Sequence, residues 1–404
     1  MRLLVLTLAA AMLAAVPAAA QSEAIVPFKV QVPNSVLSDL KQRLAQARFP
    51  DELSGSGWNY GADLSYLRQL TAYWRDRYDW RAQERRLNDL PQFKTKIDGL
   101  DIHFVHWRSS VPGAMPLVMI HGWPGSFLEF VKISDLLVNP ARHGGSDADA
   151  FHVIAVSLPG YGFSDKPGAP GFSPERMGAV VATLMKRLGY ERYGVQGGDW
   201  GSVVGRMAAL NDASHVAGLH LNFCTAGAPP GTANATGGIP PAQLARVRER
   251  QAAMQNELAY FQIQSTKPQT LGYGLNDSPV GLAAWIVEKF RTWCDCGGDP
   301  ERKFTKDELL NNVMLYWVTQ TITSSTRIYF ENRVAPPAAR KVDVPVACAI
   351  FPKDILVSTE AWMSAQHNLV RWTEMPRGGH FAAMEEPDLL AEDVRAFFRP
   401  LRRS

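Results

Sequence analysis

The sequence predicts an α/β fold, a mostly parallel sheet flanked by helices with a helical cap inserted in it, and three observations carry the prediction. Between residues 102 and 222, short apolar runs bounded by Gly and Pro alternate with helically spaced segments, as a parallel sheet requires. Within that stretch, residues 193–205 read as strand, tight turn and helix, with Asp199 standing between Gly198 and Gly201. Residues 226–340 then hold helical segments and no clear strand, after which the strand pattern returns at 345–351 and 369–375.

Taken from the start, residues 1–20 read as a signal peptide. Arg2 gives a positive start, residues 3–16 are apolar but too short to span a bilayer, and Ala18, Ala19 and Ala20 offer a cleavage point before Gln21. The expected mature chain is exported, periplasmic or secreted, with no integral membrane span. At 404 residues, 46% hydrophobic and 20% charged, it is long enough for one large domain with an inserted subdomain. A net charge of +3 without a dense basic block outside the last turn argues against a nucleic-acid partner; Arg395, Arg399, Arg402 and Arg403 read as a solvated helix end.

Residues 21–100 look helical and irregular, an N-terminal arm. Helical spacing recurs over 36–47 and 64–80, where the aromatic stripe of Tyr73, Trp74 and Tyr78 is packing surface. Strands are expected at 102–107, 116–120, 151–158 and 216–222, and a helix at 174–188. His103 and His106 are no metal pair, since an odd offset on a strand points them to opposite faces. A Gly, Pro, Ala and Thr-rich loop at 226–241 leads into cap helices at 241–264, 279–293 and 306–323, and a last helix covers 387–398. The domain reading is therefore a signal peptide 1–20, an arm 21–100, an α/β core 101–225 and 341–404, and a cap 226–340. Four cysteines allow three pairings. Cys348, in an apolar run, reads more plainly as a buried thiol, and Cys294 and Cys296 lack the neighbours a zinc site needs; whether Cys224, Cys294, Cys296 and Cys348 form disulfides is left open.

The 197–201 pattern, Gly-Gly-Asp-Trp-Gly, has the form of the nucleophile elbow of α/β-hydrolases, where small neighbours let a strained turn push the central side chain into the open. By itself Asp199 is more plainly a helix N-cap. As a nucleophile, a carboxylate is suited to displacement at an sp3 carbon, giving an alkyl ester that water then cleaves. That chemistry needs a base and an acid to orient it, in chain order nucleophile, acid, histidine. Asp354 and His380 follow the next two strands and meet that order, with Glu360 a competitor for the acid. Upstream, residues 121–125, His-Gly-Trp-Pro-Gly, follow a strand, so the oxyanion donors would be the backbone amides of Trp123 and Trp200. His121 sits beside the donor and more plainly holds the loop.

With these motifs on the page, the chain resembles epoxide hydrolases of the α/β-hydrolase superfamily, in the branch of the microsomal, juvenile-hormone and fungal enzymes. The resemblance runs through the arm, residues 121–125 and 197–201, the cap stretches 260–268 and 275–285, and 378–386. It implies two cap tyrosines aimed at the epoxide oxygen, matched by Tyr260 and Tyr329; it makes Asp354 the acid and implies a cis Trp123–Pro124 bond. The activity it implies is conversion of a hydrophobic epoxide and water to a vicinal diol without cofactor or metal. Two alternatives share part of the pattern: a haloalkane dehalogenase, with the same Asp and His but no use for two tyrosines, and a ligand-binding homologue that has lost turnover. A homodimer stays open.

Overall fold

The computed structural model describes residues 23–229, 231 and 234–402, so the expected signal peptide and Arg403 lie outside the described residues. The arm contributes β1 (Val26–Pro27), α1 (Asn34–Ala45), α2 (Leu64–Asp76), α3 (Trp80–Asn88) and β2 (Gln92–Ile97). The core then runs β3 (Leu100–Trp107), β4 (Met115–Ile120), α4 (Val131–Val138), β5 (Phe151–Val156), α5 (Pro174–Arg187), β6 (Tyr193–Gly197), α6 (Trp200–Asn211) and β7 (Val216–Leu221). Six helices form the cap: α7 (Pro241–Met254), α8 (Ala259–Thr266), α9 (Pro268–Asp277), α10 (Pro279–Trp293), α11 (Lys306–Thr319) and α12 (Ile322–Val334). The chain returns through β8 (Val342–Ile350), α13 (Glu360–Gln366), β9 (His367–Glu374), α14 (Ala382–Glu385) and α15 (Pro387–Leu401).

The nine strands form one sheet in the order β1-β2-β3-β5-β4-β6-β7-β8-β9, antiparallel from β1 to β5 and parallel from β5 to β9. Strands β4 to β7 are covered by helices on both faces and read as near-continuous apolar runs, the signature of buried parallel strands. The cap enters between β7 and β8, so it sits over the carboxyl ends of the strands flanking the switch in strand order, where open α/β sheets bind ligands.

Several expectations need correction. The arm is not wholly helical, because Gln92–Ile97 pairs antiparallel with β3. Its buried positions include Gln92 and Thr95, polar residues that blur the apolar alternation a strand would otherwise show. The helix expected over 64–80 begins at Leu64, capped by Asp63, but ends at Asp76, and a separate helix α3 opens at Trp80, where Asp79 accepts from the Ala82 N–H. The helical stretches 241–264 and 306–323 are likewise each broken in two, the second at Gln320, which takes a left-handed conformation. Cys348 is buried as expected but is not a free thiol: it is bonded to Cys224, with Cα atoms 6.3 Å apart across 124 residues. The reason is register, because β7 and β8 pair in parallel with Leu221 opposite Cys348, which brings the residue three past Leu221 alongside. Cys294 is bonded to Cys296.

Candidate active site

Asp199 stands two residues past β6 at φ 48°, a left-handed value unusual for a non-glycine residue, and α6 begins at Trp200. It stands at the N-cap position, yet its side chain makes no capping bond. The capping reading therefore fails on geometry. The turn closes because Gly201 has no side chain; a Cβ there would overlap the Ile120 carbonyl at the end of β4. Gly122 is needed for the same kind of reason, since a Cβ on it would occupy the space of the Asp199 carboxylate.

That carboxylate is held from two sides. The Trp123 N–H donates to Oδ1 at 2.8 Å, and His380 Nε2 lies 3.4 Å from Oδ2. The Trp200 amide lies in the first turn of α6, where N–H groups have no intrahelical acceptor. Behind His380, Nδ1 faces Asp354 Oδ1 at 2.6 Å, and that oxygen also accepts from the Ile355 N–H at 2.7 Å. Burial disfavours charge on His380, but the Asp354 and Asp199 carboxylates outweigh it and raise its pKa to about 10. Burial pushes Asp354 up while His380 pulls against it. Glu360, the competing acid, is exposed at the start of α13.

His121 takes the loop-holding part. Its Nδ1 faces the Gly122 carbonyl at 3.0 Å and Nε2 accepts from the Leu158 N–H at 3.3 Å, while burial lowers its pKa to about 4 and keeps it neutral. The Trp123–Pro124 bond is cis.

Tyr260 on α8 and Tyr329 on α12 are both buried, and the Trp123 ring joins them: it stacks on Tyr260 at 5.5 Å and meets Tyr329 edge-on at 6.0 Å. The Tyr329 hydroxyl has no hydrogen-bond partner among the described residues. Burial first, and then neighbouring groups that include the Asp199 charge, push both phenols above the ordinary tyrosine range. Trp293, at the end of α10, packs against Tyr260 at 5.2 Å and His380 at 5.1 Å, so core and cap groups share one aromatic wall. His103 and His106 lie away from this site, bonded to Ser157 and Gln92 and to Tyr190. Among the described residues no group of three or more His, Cys, Asp or Glu is arranged to hold a metal ion.

Comparison with known proteins bears on which hydrolase this is. A family model described as "Epoxide hydrolase N terminus" matches residues 25–130, and one for the alpha/beta hydrolase fold matches 115–253. Epoxide hydrolase 1 of Sus scrofa is 44% identical over 408 residues, covering 94% of this chain and 90% of the relative. The chain belongs to the epoxide hydrolase family. Among solved structures, the juvenile hormone epoxide hydrolase of the silkworm Bombyx mori superposes with a TM-score of 0.87 at 34% identity, covering 95% of this chain and 96% of that one. The Aspergillus niger epoxide hydrolase gives 0.84 at 34% identity, covering 94% and 97%.

As an epoxide hydrolase the chain carries supporting groups that sequence pattern does not single out. Asn312 Nδ2 donates to the Pro124 carbonyl and the Tyr316 hydroxyl to the Gly125 carbonyl, each at 2.7 Å, tying cap helix α11 to the cis-proline loop. Glu385 accepts the amides of Asp295, Gly379 and Phe381 at 2.7, 3.0 and 2.9 Å, fixing the loop that bears His380 against the end of α10. Asn312 and Tyr316 share a helix face at i, i+4, the one sequence signal they offer. Glu385 offers none, being one acid in an acidic turn.

Proposed function

We propose that the enzyme opens a hydrophobic epoxide in two steps through an ester on Asp199. The observation that carries this reading is the strained Asp199, uncapping its helix and instead facing the Trp123 amide, His380 Nε2 and two buried phenols. Asp199 Oδ attacks an oxirane carbon and the C–O bond breaks toward Tyr260 and Tyr329, which hydrogen-bond the departing oxygen and supply its proton. High phenol pKa values suit this: the hydroxyls stay protonated until an alkoxide, a stronger base, develops. Forming the ester removes the Asp199 charge, one of the two carboxylates that hold the His380 proton. The imidazolium then gives up its proton, by way of solvent, to the phenolate left by the first step, which restores the tyrosine and makes His380 a base at the step that needs one. His380, oriented by Asp354, takes a proton from water as the water attacks the ester carbon, and the Trp123 and Trp200 amides face the oxyanion. Collapse releases the vicinal diol and restores Asp199.

Replacing His380→Gln tests the scheme. Mass spectrometry of that variant after exposure to an epoxide is expected to show the substrate's mass added on the peptide bearing Asp199; turnover without an adduct would overturn the mechanism. The aromatic wall of Trp123, Trp293, Phe261 and Tyr329 supports an apolar substrate. Export to an oxidising compartment is supported by the two disulfides and the leader-like residues 1–20. Cell fractionation with N-terminal sequencing checks it, the expected start being Gln21.

A further inference from the structure

Glu129 has no part in the scheme above, yet it lies half-buried beside it, its carboxyl turned inward. It belongs to the short turn Phe127–Phe130 that follows the cis-proline loop, and its carboxyl folds back so tightly over Gly125 that a Cβ on that glycine would overlap it. It has no salt-bridge partner among the described residues. Together with Asp199, His380, Gly122, Asn222 and Phe381 it lines an enclosed space of about 10 Å³ for the centres of water-sized molecules. A space of that size, with several polar groups facing it, is what a single bound water needs. Glu129, His380, Asp199 and the neutral His121 are the ionisable groups on its wall, and the space lies beside the imidazole that must act on water.

We propose that the Glu129 carboxyl is a catalytic group that binds the hydrolytic water and directs it, between itself and His380, at the ester carbon of Asp199. The proposal rests on the two-step reading above. In the attack one water O–H gives its proton to His380 Nε2 and the other is held by a Glu129 oxygen, so the oxygen lone pair points at the ester carbon. The new O–C bond forms as the alkyl oxygen leaves, and Glu129 returns unchanged. Burial raises the Glu129 pKa to about 8, His380 lowers it and the Asp199 charge adds to the rise. Esterification removes that Asp199 repulsion, and loss of the His380 proton removes the opposing attraction, so burial is then the main influence on the Glu129 carboxyl. In the free enzyme the same repulsion keeps a second negative charge away from the nucleophile.

The test separates the two steps. In single turnovers of styrene oxide followed by tryptophan fluorescence, E129Q is expected to form the ester within about threefold of the wild-type rate. It should hydrolyse the ester at least about tenfold more slowly, a deficit at the low end for acid–base groups, and accumulate the Asp199 adduct by mass spectrometry. The glutamine fills the same space, so a role in packing alone predicts wild-type behaviour in both phases, and that result would overturn the proposal. Equal slowing of both phases would overturn it too. Ester formation at the normal rate is itself the check on folding. If H380Q traps the adduct while E129Q hydrolyses it normally, Glu129 alone is wrongly assigned; if H380Q traps none, the two-step reading has failed first.

Discussion

Core and cap deliver their reactive groups by different means. Asp199, Asp354 and His380 each stand just past the end of a parallel strand, where the backbone fixes the side chain and hydrogen bonds of 2.6 to 2.8 Å hold it in place. Tyr260 and Tyr329 come from α8 and α12 and are placed by aromatic packing against Trp123 and Trp200, with ring centroids 4.8 to 6.0 Å apart. The core side therefore admits little adjustment, as in-line displacement and proton transfer demand. In the proposed mechanism the cap side presents two donors to one oxygen, and it depends on side-chain packing. If the proposed mechanism holds, the difference makes nucleophile and base single points of failure, while the donors to the leaving oxygen are shared.

The largest expected effect breaks the core. D199N should lower turnover by about 10⁴-fold or more, in the range found when a nucleophile or its base is removed, and should give no covalent adduct on mixing with epoxide. On the cap side Y260F and Y329F should each slow ester formation by about 10- to 100-fold while leaving ester hydrolysis unchanged, because the other phenol still donates. Stopped-flow measurement of the two phases checks this. Loss of activity in either single variant as complete as in D199N would break the comparison, and a double variant losing far more than the product of the two would sharpen it.

The smallest effect lies in stability, far from the reaction. Asp393 on α15 is buried with Arg371 and Thr373 on β9 and His220 on β7. Burial opposes its charge, yet these partners prevail and hold its pKa near about 2. A depressed carboxylate stabilises the fold above its unfolded pKa, near 3.8, and that contribution is lost as pH falls through about 2. D393N should cost on the order of 2 kcal/mol at neutral pH, and thermal melts of variant and wild type should converge between about pH 4 and pH 2. Activity at neutral pH should remain, since neither half of the site is touched.

The core half of the site was legible in the sequence because its physics is local. A strand, a turn that tolerates only small residues and a following helix are written in consecutive positions, and the order Asp199, Asp354, His380 follows from the strand order. The alternation of β4 to β7 was legible for the same reason, as their burial on both faces makes them continuously apolar. Resemblance to the family, rather than spacing, singled out Tyr260 and Tyr329, because a tyrosine on an amphipathic helix looks the same whether it packs or donates.

What the tertiary structure alone decided are relations between residues far apart in the chain. Strand β2 hid behind buried polar residues and was settled by pairing with β3; the Cys224–Cys348 bond depended on the β7–β8 register across an inserted cap. Glu129 and Glu385 looked like ordinary acids until folding removed water from one and wrapped three amides around the other. The sequence by itself determined the elbow and the chemistry Asp199 can do, since those depend on neighbours within a turn. Burial and register belong to the whole chain, so the Glu129 wall of the water-sized space became visible only once the fold had closed around it.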